Sequence, residues 1–157
     1  EQHIEDDTPL ADVLPTIFNK YPVRYRDYTL RELCQEMHDL YVSFDVKDLQ
    51  KAMFRQESLP AVAMNPQDAN SAFIRGDVEL VRICDAAGRV AAEGALPYPP
   101  GVLCMVPGEI WGGAVQRYFL ALEEGVNLLP GFSPELQGVY SETDADGIKR
   151  LYGYVVK

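Results

Sequence analysis

Hydrophobic positions along the chain change their period several times, and each change marks an element. Leu30, Leu33, Met37, Leu40, Tyr41 and Phe44 recur at three- and four-residue intervals, which predicts an amphipathic helix. Thr29-Leu30-Arg31-Glu32 supplies its start: the Thr hydroxyl accepts from the third amide while Glu32 reaches back to the cap. A break near Ser43 to Asp45 precedes Val46, Leu49, Met53 and Phe54, which continue the helical spacing. Burying such a face contributes about 1.5–3 kcal/mol per large apolar side chain. Before it, residues 1–28 are punctuated by Pro9, Pro15 and Pro22, with Leu10, Val13, Leu14 and Ile17 at short-helix spacing. This stretch reads as a connecting segment and residues 29–157 as the domain proper.

The second half alternates strand and helix signals. Leu59–Met64 predicts a strand ending at the Asn65-Pro66 turn, and Pro66–Ala72 a short helix with proline in its first position. Val78–Ile83 and Arg89–Ala95 flank Asp85-Ala86-Ala87-Gly88, which predicts a β-hairpin. Val102–Val106 predicts a buried strand between two Pro-Gly pairs. Glu109 stands where a helix is expected to begin, that helix running from Gly113 to Glu124 with Val115, Tyr118, Phe119 and Leu122 inward and Gly125 ending it. Past the Pro130-Gly131 turn, Val139–Glu142 and Lys149–Val155 form a final hairpin around Asp144–Gly147. The order implies an α+β fold with a small, mostly antiparallel sheet and packed helices.

Composition narrows the class. A chain of 157 residues with 47% apolar and 24% charged residues is ordinary globular material. It is long enough to bury roughly 70% of its unfolded surface without disulfides or a metal. No apolar run approaches the roughly 20 residues needed to span a bilayer, so no membrane partner is expected. The first residues are acidic, unlike a signal peptide, and the missing initiator Met suggests a fragment or a processed product. A net charge of −10 disfavours nucleic acid and is compatible with cationic small molecules. Cys34, Cys84 and Cys104 are odd in number and far apart, which points to a reducing cytoplasm.

Candidate chemistry is sparse. Neither His3 nor His38 stands at metal-ligand spacing, and Asp144-Ala145-Asp146-Gly147 lacks the later ligands of a calcium loop, so no metal is expected. No serine has a Gly-x-Ser-x-Gly setting. Cys34 and His38 share a helical face with no third orienting group, so packing explains them better than catalysis. The least ordinary stretch is Leu96-Pro97-Tyr98-Pro99-Pro100-Gly101-Val102, whose prolines impose extended or polyproline geometry. Tyr98 is thereby held on a stiff backbone, either lining a pocket or packing into the core.

That block, from Gly88 through Val102, together with Val106-Pro107-Gly108-Glu109, Pro130-Gly131-Phe132 and Gly138-Val139-Tyr140, resembles the C-terminal domain of the bacterial ornithine/lysine/arginine decarboxylases. Leu33 to His38 and Met64 to Ala69 are similar to it as well, so the resemblance covers the chain from about Asp6 onward. Glu93 to Tyr98 and Leu128 to Phe132 look closest to the ornithine enzymes. The resemblance implies an enzyme built around pyridoxal phosphate, held by a lysine in a Ser-x-His-Lys setting, whose ring takes up the electron pair left by departing CO2. Lys20, Lys47, Lys51, Lys149 and Lys157 all lack that setting, so no cofactor is expected to bind this chain, and no catalytic residue is assigned to it. It also implies the cofactor domain of the same enzyme as partner and Tyr98 as a residue of the substrate channel; a domain cut from such an enzyme should expose an apolar face, through which a homo-oligomer is expected.

Overall fold

The computed structural model describes residues 2–98 and 101–157. Three short helices, α1 (Gln2–Glu5), α2 (Leu10–Val13) and α3 (Pro15–Lys20), lead into α4 (Leu30–Ser43) and α5 (Val46–Ala52). The capping box of α4 is complete: Thr29 Oγ1 accepts from Glu32 N at 3.2 Å, and Thr29 N donates to Glu32 Oε2 at 2.8 Å. Asp45, at φ +51°, breaks α4 from α5. Next come α6 (Pro66–Arg75), β1 (Val78–Arg82) and β2 (Leu96–Tyr98). Helix α7 (Gly113–Leu128), β3 (Glu135–Gln137), β4 (Tyr140–Thr143) and β5 (Lys149–Val156) complete the chain. The α+β class holds, with antiparallel sheets of order β1-β5-β4 and β2-β3.

Strand β5 is central. Leu151 and Val155 point to the core against α7, while Tyr154 on the opposite face meets Phe73 of α6 edge-on, with ring centres 5.1 Å apart. Polar side chains lock α7 to its neighbours. Gln116 Nε2 donates to Ile83 O at 2.6 Å, and Glu123 Oε2 accepts from Leu151 N at 2.6 Å. Asn127 exchanges two hydrogen bonds with the backbone of Lys149, at 2.9 and 2.8 Å. The bonds of Gln116 and Glu123 satisfy backbone groups that would otherwise be costly to bury.

A second, smaller core joins residues 2–28 to α4 and the end of α7. Leu10, Tyr25, Leu33, Leu40 and Leu129 are buried in it. Arg24 lies over the rings of Tyr25 and Tyr28, donates to Leu128 O at 3.0 Å and pairs with Glu36.

Several expectations are corrected. Val78–Ile83 and Arg89–Ala95 do not form a hairpin: β1 pairs with β5, Val78 facing Val156. Ala91, Ala92 and Ala95 are fully buried and small enough for backbone to approach from two sides. Ala91 N donates to Glu109 O at 2.8 Å, and Ala92 N to Tyr154 O at 2.9 Å. Leu59–Met64 makes one bridge, Val62 to Glu109, because Pro60 has no N–H to donate and Val62 stays exposed. Val102–Val106 is likewise reduced to one bridge, Ala95 to Met105, with Val102 and Leu103 exposed. Glu109 starts no helix: its carboxylate accepts from Val106 N at 2.8 Å and closes the Pro107-Gly108 turn. Nor does Gly125 end α7, which runs on to Leu128. A Cβ at Gly125 would stand 3.4 Å from Leu40 Cδ2, so this glycine serves the close crossing of α4. Leu96–Tyr98, unforeseen as a strand, pairs with β3.

Candidate functional site

Tyr98 is the last described residue of β2, paired across to Glu135. The polyproline geometry expected at Pro99 and Pro100 lies outside the described residues. Tyr98 does not pack into the core: it is 54% exposed, while Pro97 beside it is buried. Its ring lies near Gly101 (φ +79°), where a Cβ would stand 3.1 Å from Tyr98 Cδ2. Gly101 N donates to Pro97 O at 3.0 Å, which ties Gly101 to β2. An aromatic ring is thus presented to solvent from a tethered backbone.

A cleft of about 240 Å³ opens at its neighbour Pro97, lined by Gln50, Met53, Phe54, Pro97, Val102, Cys104 and Tyr118 but not by Tyr98 itself. None of these seven is charged. At its floor Gln50 Nε2 donates to Tyr118 Oη at 3.3 Å. Burial pushes both the Tyr118 phenol and the Cys104 thiol above their ordinary pKa, so both stay neutral at physiological pH. Gln50 and Tyr118 also line a second apolar groove of about 180 Å³ between α4, α5 and α7. Their hydrogen bond therefore stands between two concavities that flank α5.

The cleft can bind and desolvate, but nothing in it can move a proton near neutral pH. Sequence reasoning found Tyr98 through its flanking prolines and took Tyr118 for an ordinary inward residue. It missed Gln50, which carries no local signal, and read Phe54 only as part of the helical spacing, whereas Phe54 follows the end of α5 and lines the cleft. Cys34 and His38 are exposed on α4, so neither is packed and no third group orients them. Among the described residues no three His, Cys, Asp or Glu side chains could hold a metal together, and no helix is long and apolar enough to cross a membrane. All five lysines are exposed, and none lies on the cleft beside Tyr98. Lys47 lines the groove between α4, α5 and α7.

Glu93, which opens the block ending at Tyr98, accepts a hydrogen bond from Tyr140 Oη at 2.8 Å. It thus ties the block to β4, and burial together with this bond pushes the Tyr140 phenol up to about 12. Gly138 is tighter still: a Cβ there would meet the Gly94 carbonyl oxygen at 1.9 Å.

Comparison with known proteins identifies the family. Residues 47–157 match the family model described as Orn/Lys/Arg decarboxylase, C-terminal domain. The constitutive ornithine decarboxylase of Escherichia coli K12 is 87% identical over the whole chain, which spans 22% of that protein. The ornithine decarboxylase of Haemophilus influenzae is 61% identical over 99% of the chain, again 22% of its length. Among solved structures, lysine decarboxylase A from Pseudomonas aeruginosa superposes with a TM-score of 0.88 at 31% identity, covering 99% of this chain and 21% of that one. The chain thus spans about a fifth of the length of the relatives it matches, and it belongs to the C-terminal domain family of the ornithine/lysine/arginine decarboxylases.

Proposed function

We propose that the chain serves as the C-terminal domain of a cytoplasmic, pyridoxal-phosphate-dependent ornithine decarboxylase, which converts ornithine to putrescine and CO2. One observation carries the choice of substrate. Identity with the E. coli constitutive ornithine decarboxylase is 87% over all 157 residues, against 34% for the lysine decarboxylases of Hafnia alvei and P. aeruginosa. The cofactor, when bound elsewhere in the polypeptide, supplies an electron sink for the carbon that loses CO2. This domain contributes binding surface instead. Tyr98, exposed on a tethered strand end beside an uncharged cleft, walls the substrate channel and desolvates the passage of a diamino acid. The net charge of −10 favours the approach of such a cation.

The test uses the full-length polypeptide carrying this domain, supplied with pyridoxal phosphate. Release of CO2 from ornithine well ahead of lysine or arginine is expected, and the 157-residue chain alone should release none. Preference for lysine or arginine would overturn the substrate assignment. A second reading, a structural and oligomerisation module of a lysine or arginine decarboxylase, draws on the TM-score of 0.88 with a lysine decarboxylase. Tyr98→Ala separates the roles: a KM raised severalfold with assembly intact favours the channel, and lost assembly favours the structural module.

A further inference from the structure

Helices α4, α5 and α7 leave between them the groove of about 180 Å³ that shares Gln50 and Tyr118 with the cleft at Pro97. Leu40, Leu122, Leu129 and Phe132 give it an aliphatic and aromatic wall. Among the described residues Lys47 is the one charged group on its lining, in a chain with 24 acidic residues against 14 basic. Its ammonium has no carboxylate partner among the described residues, whereas Lys51, one turn further along α5, pairs with Asp48 at 3.6 Å. Lys47 and Gln50 stand three residues apart on α5, so they share a face. Tyr118 adds a second unspent donor. It is only 6% exposed, its oxygen accepts from Gln50 Nε2 at 3.3 Å, and its own hydroxyl proton meets no acceptor among the described residues. A cation and a buried O–H are both complemented by an oxyanion, and neither by a second ammonium. The apolar remainder sets the size: a cavity of about 150 Å³ takes one benzene ring, so this groove has room for one ring on a short tail.

We propose that this groove binds a small aromatic monocarboxylate, its ring among Leu40, Leu122, Leu129 and Phe132, and its carboxylate facing Lys47 and accepting from Tyr118 Oη. Lys47 is exposed and Tyr118 buried, so the acid spans from the rim inward, with its charge met at the wetter end. The charge pattern selects against the cations proposed for the Tyr98 passage, because a diamino acid or a diamine would set an ammonium against Lys47. The groove is therefore a separate site, and its occupancy does not depend on the decarboxylase reading.

The test titrates 4-phenylbutyrate into the full-length polypeptide carrying this domain and follows the heat. Saturable binding at one site per chain is expected, with a Kd below about 1 mM, which a ligand of this size can reach. The neutral 4-phenylbutyramide should bind about tenfold more weakly, since it cannot form the charge-assisted bond. Lys47→Met, which keeps the apolar stem and removes the charge, should cost the acid about tenfold as well. Tyr118→Phe, which keeps the ring and removes the donor, should weaken it severalfold. Lys51→Met is the control and should stay within about twofold, because that exposed lysine lies off the groove. Circular dichroism checks that each variant is folded. An equal loss in Lys51→Met would overturn the proposal as diffuse attraction of an anion. Binding that neither Lys47→Met nor Tyr118→Phe changes would put the acid elsewhere and overturn it too. So would failure of the full-length polypeptide to bind, even where the 157-residue chain takes up the acid, because the groove is then filled by the rest of the protein.

Discussion

Gly138→Ala is the sharpest probe of how the Tyr98 block is held. Gly138 sits at φ +71°, a left-handed conformation that costs an L-residue about 1–2 kcal/mol. A Cβ added there would also lie 1.9 Å from the Gly94 carbonyl oxygen and 2.9 Å from its carbon, so backbone must move by more than an ångström. Neither side is free to yield. Gln137 is paired to Leu96 across β2–β3, and Tyr140 to Tyr152 across β4–β5. Overpacking of this kind costs about 1–3 kcal/mol more, so the sum is about 2–5 kcal/mol against a typical stability of about 5–15. Gly147→Ala isolates the conformational part, because φ there is +79° and nothing lies within 4 Å of its added Cβ. At roughly 2–4 °C per kcal/mol for a domain of this size, the melting temperature should fall by about 10 °C for Gly138→Ala and about 4 °C for Gly147→Ala. Thermal melts followed by far-ultraviolet circular dichroism read both. Equal drops in the two variants would refute the close approach of Gly138 to Gly94.

Other interactions make further predictions. Glu123→Leu leaves the buried Leu151 N–H without its acceptor and should cost about 1–3 kcal/mol in urea unfolding, while Glu123→Gln, which keeps an acceptor oxygen, should cost clearly less. Arg24→Ala removes the partner of Leu128 O and of Glu36 and should cost about 1–3 kcal/mol, whereas Arg31→Ala, losing an exposed pair with Asp7, should cost less than about 0.5; equal losses would discount the inner clamp. Burial holds the phenols of Tyr25 and Tyr140 up to about 12, against about 10 in the unfolded chain. The folded state favours the neutral phenol, so this stability is complete below pH 10 and disappears as pH rises from about 10 to 12. Urea titrations across that window should show the loss, Tyr140→Phe should reduce it, and a flat profile would contradict it.

The features legible in the sequence were those encoded within a few residues. The Thr29–Glu32 box, Pro66 at the start of α6 and the Asp144 turn each carry their own hydrogen-bond chemistry, and the structure forms all three. The β1 pairing was not legible, because its partner β5 lies some seventy residues on while a good turn signal at Asp85–Gly88 stands next door. What decides against the local hairpin is the small size of Ala91, Ala92 and Ala95, which lets them pass between two backbones instead of building one face. The candidate site divides the same way. Tyr98 stood out through its prolines, whereas Gln50 on α5, Phe54 just past its end and Tyr118 on α7 meet only through the packing of α5 on α7.

The strand expected at Val102–Val106 failed for a reason that bears on function. An apolar run that a self-contained domain would bury is here split, with Cys104 and Met105 buried and Val102 and Leu103 left 47 and 42% exposed. Val102 and Cys104 of the same run line the cleft near Tyr98. The split predicts unequal costs in the isolated chain. Met105→Ala should lose about 2–5 kcal/mol, as for any fully buried large side chain. Val102→Thr should stay within about 0.5 kcal/mol, as for an exposed position. If the outer half of the run is covered in a full-length polypeptide, the ranking narrows there, because Val102 is then desolvated and its added hydroxyl needs a partner. Chemical denaturation of both variants in both contexts decides the matter. If Val102→Thr is as harmless in the full-length protein as in the domain alone, the outer half of the run faces water and the exposed cleft covers nothing.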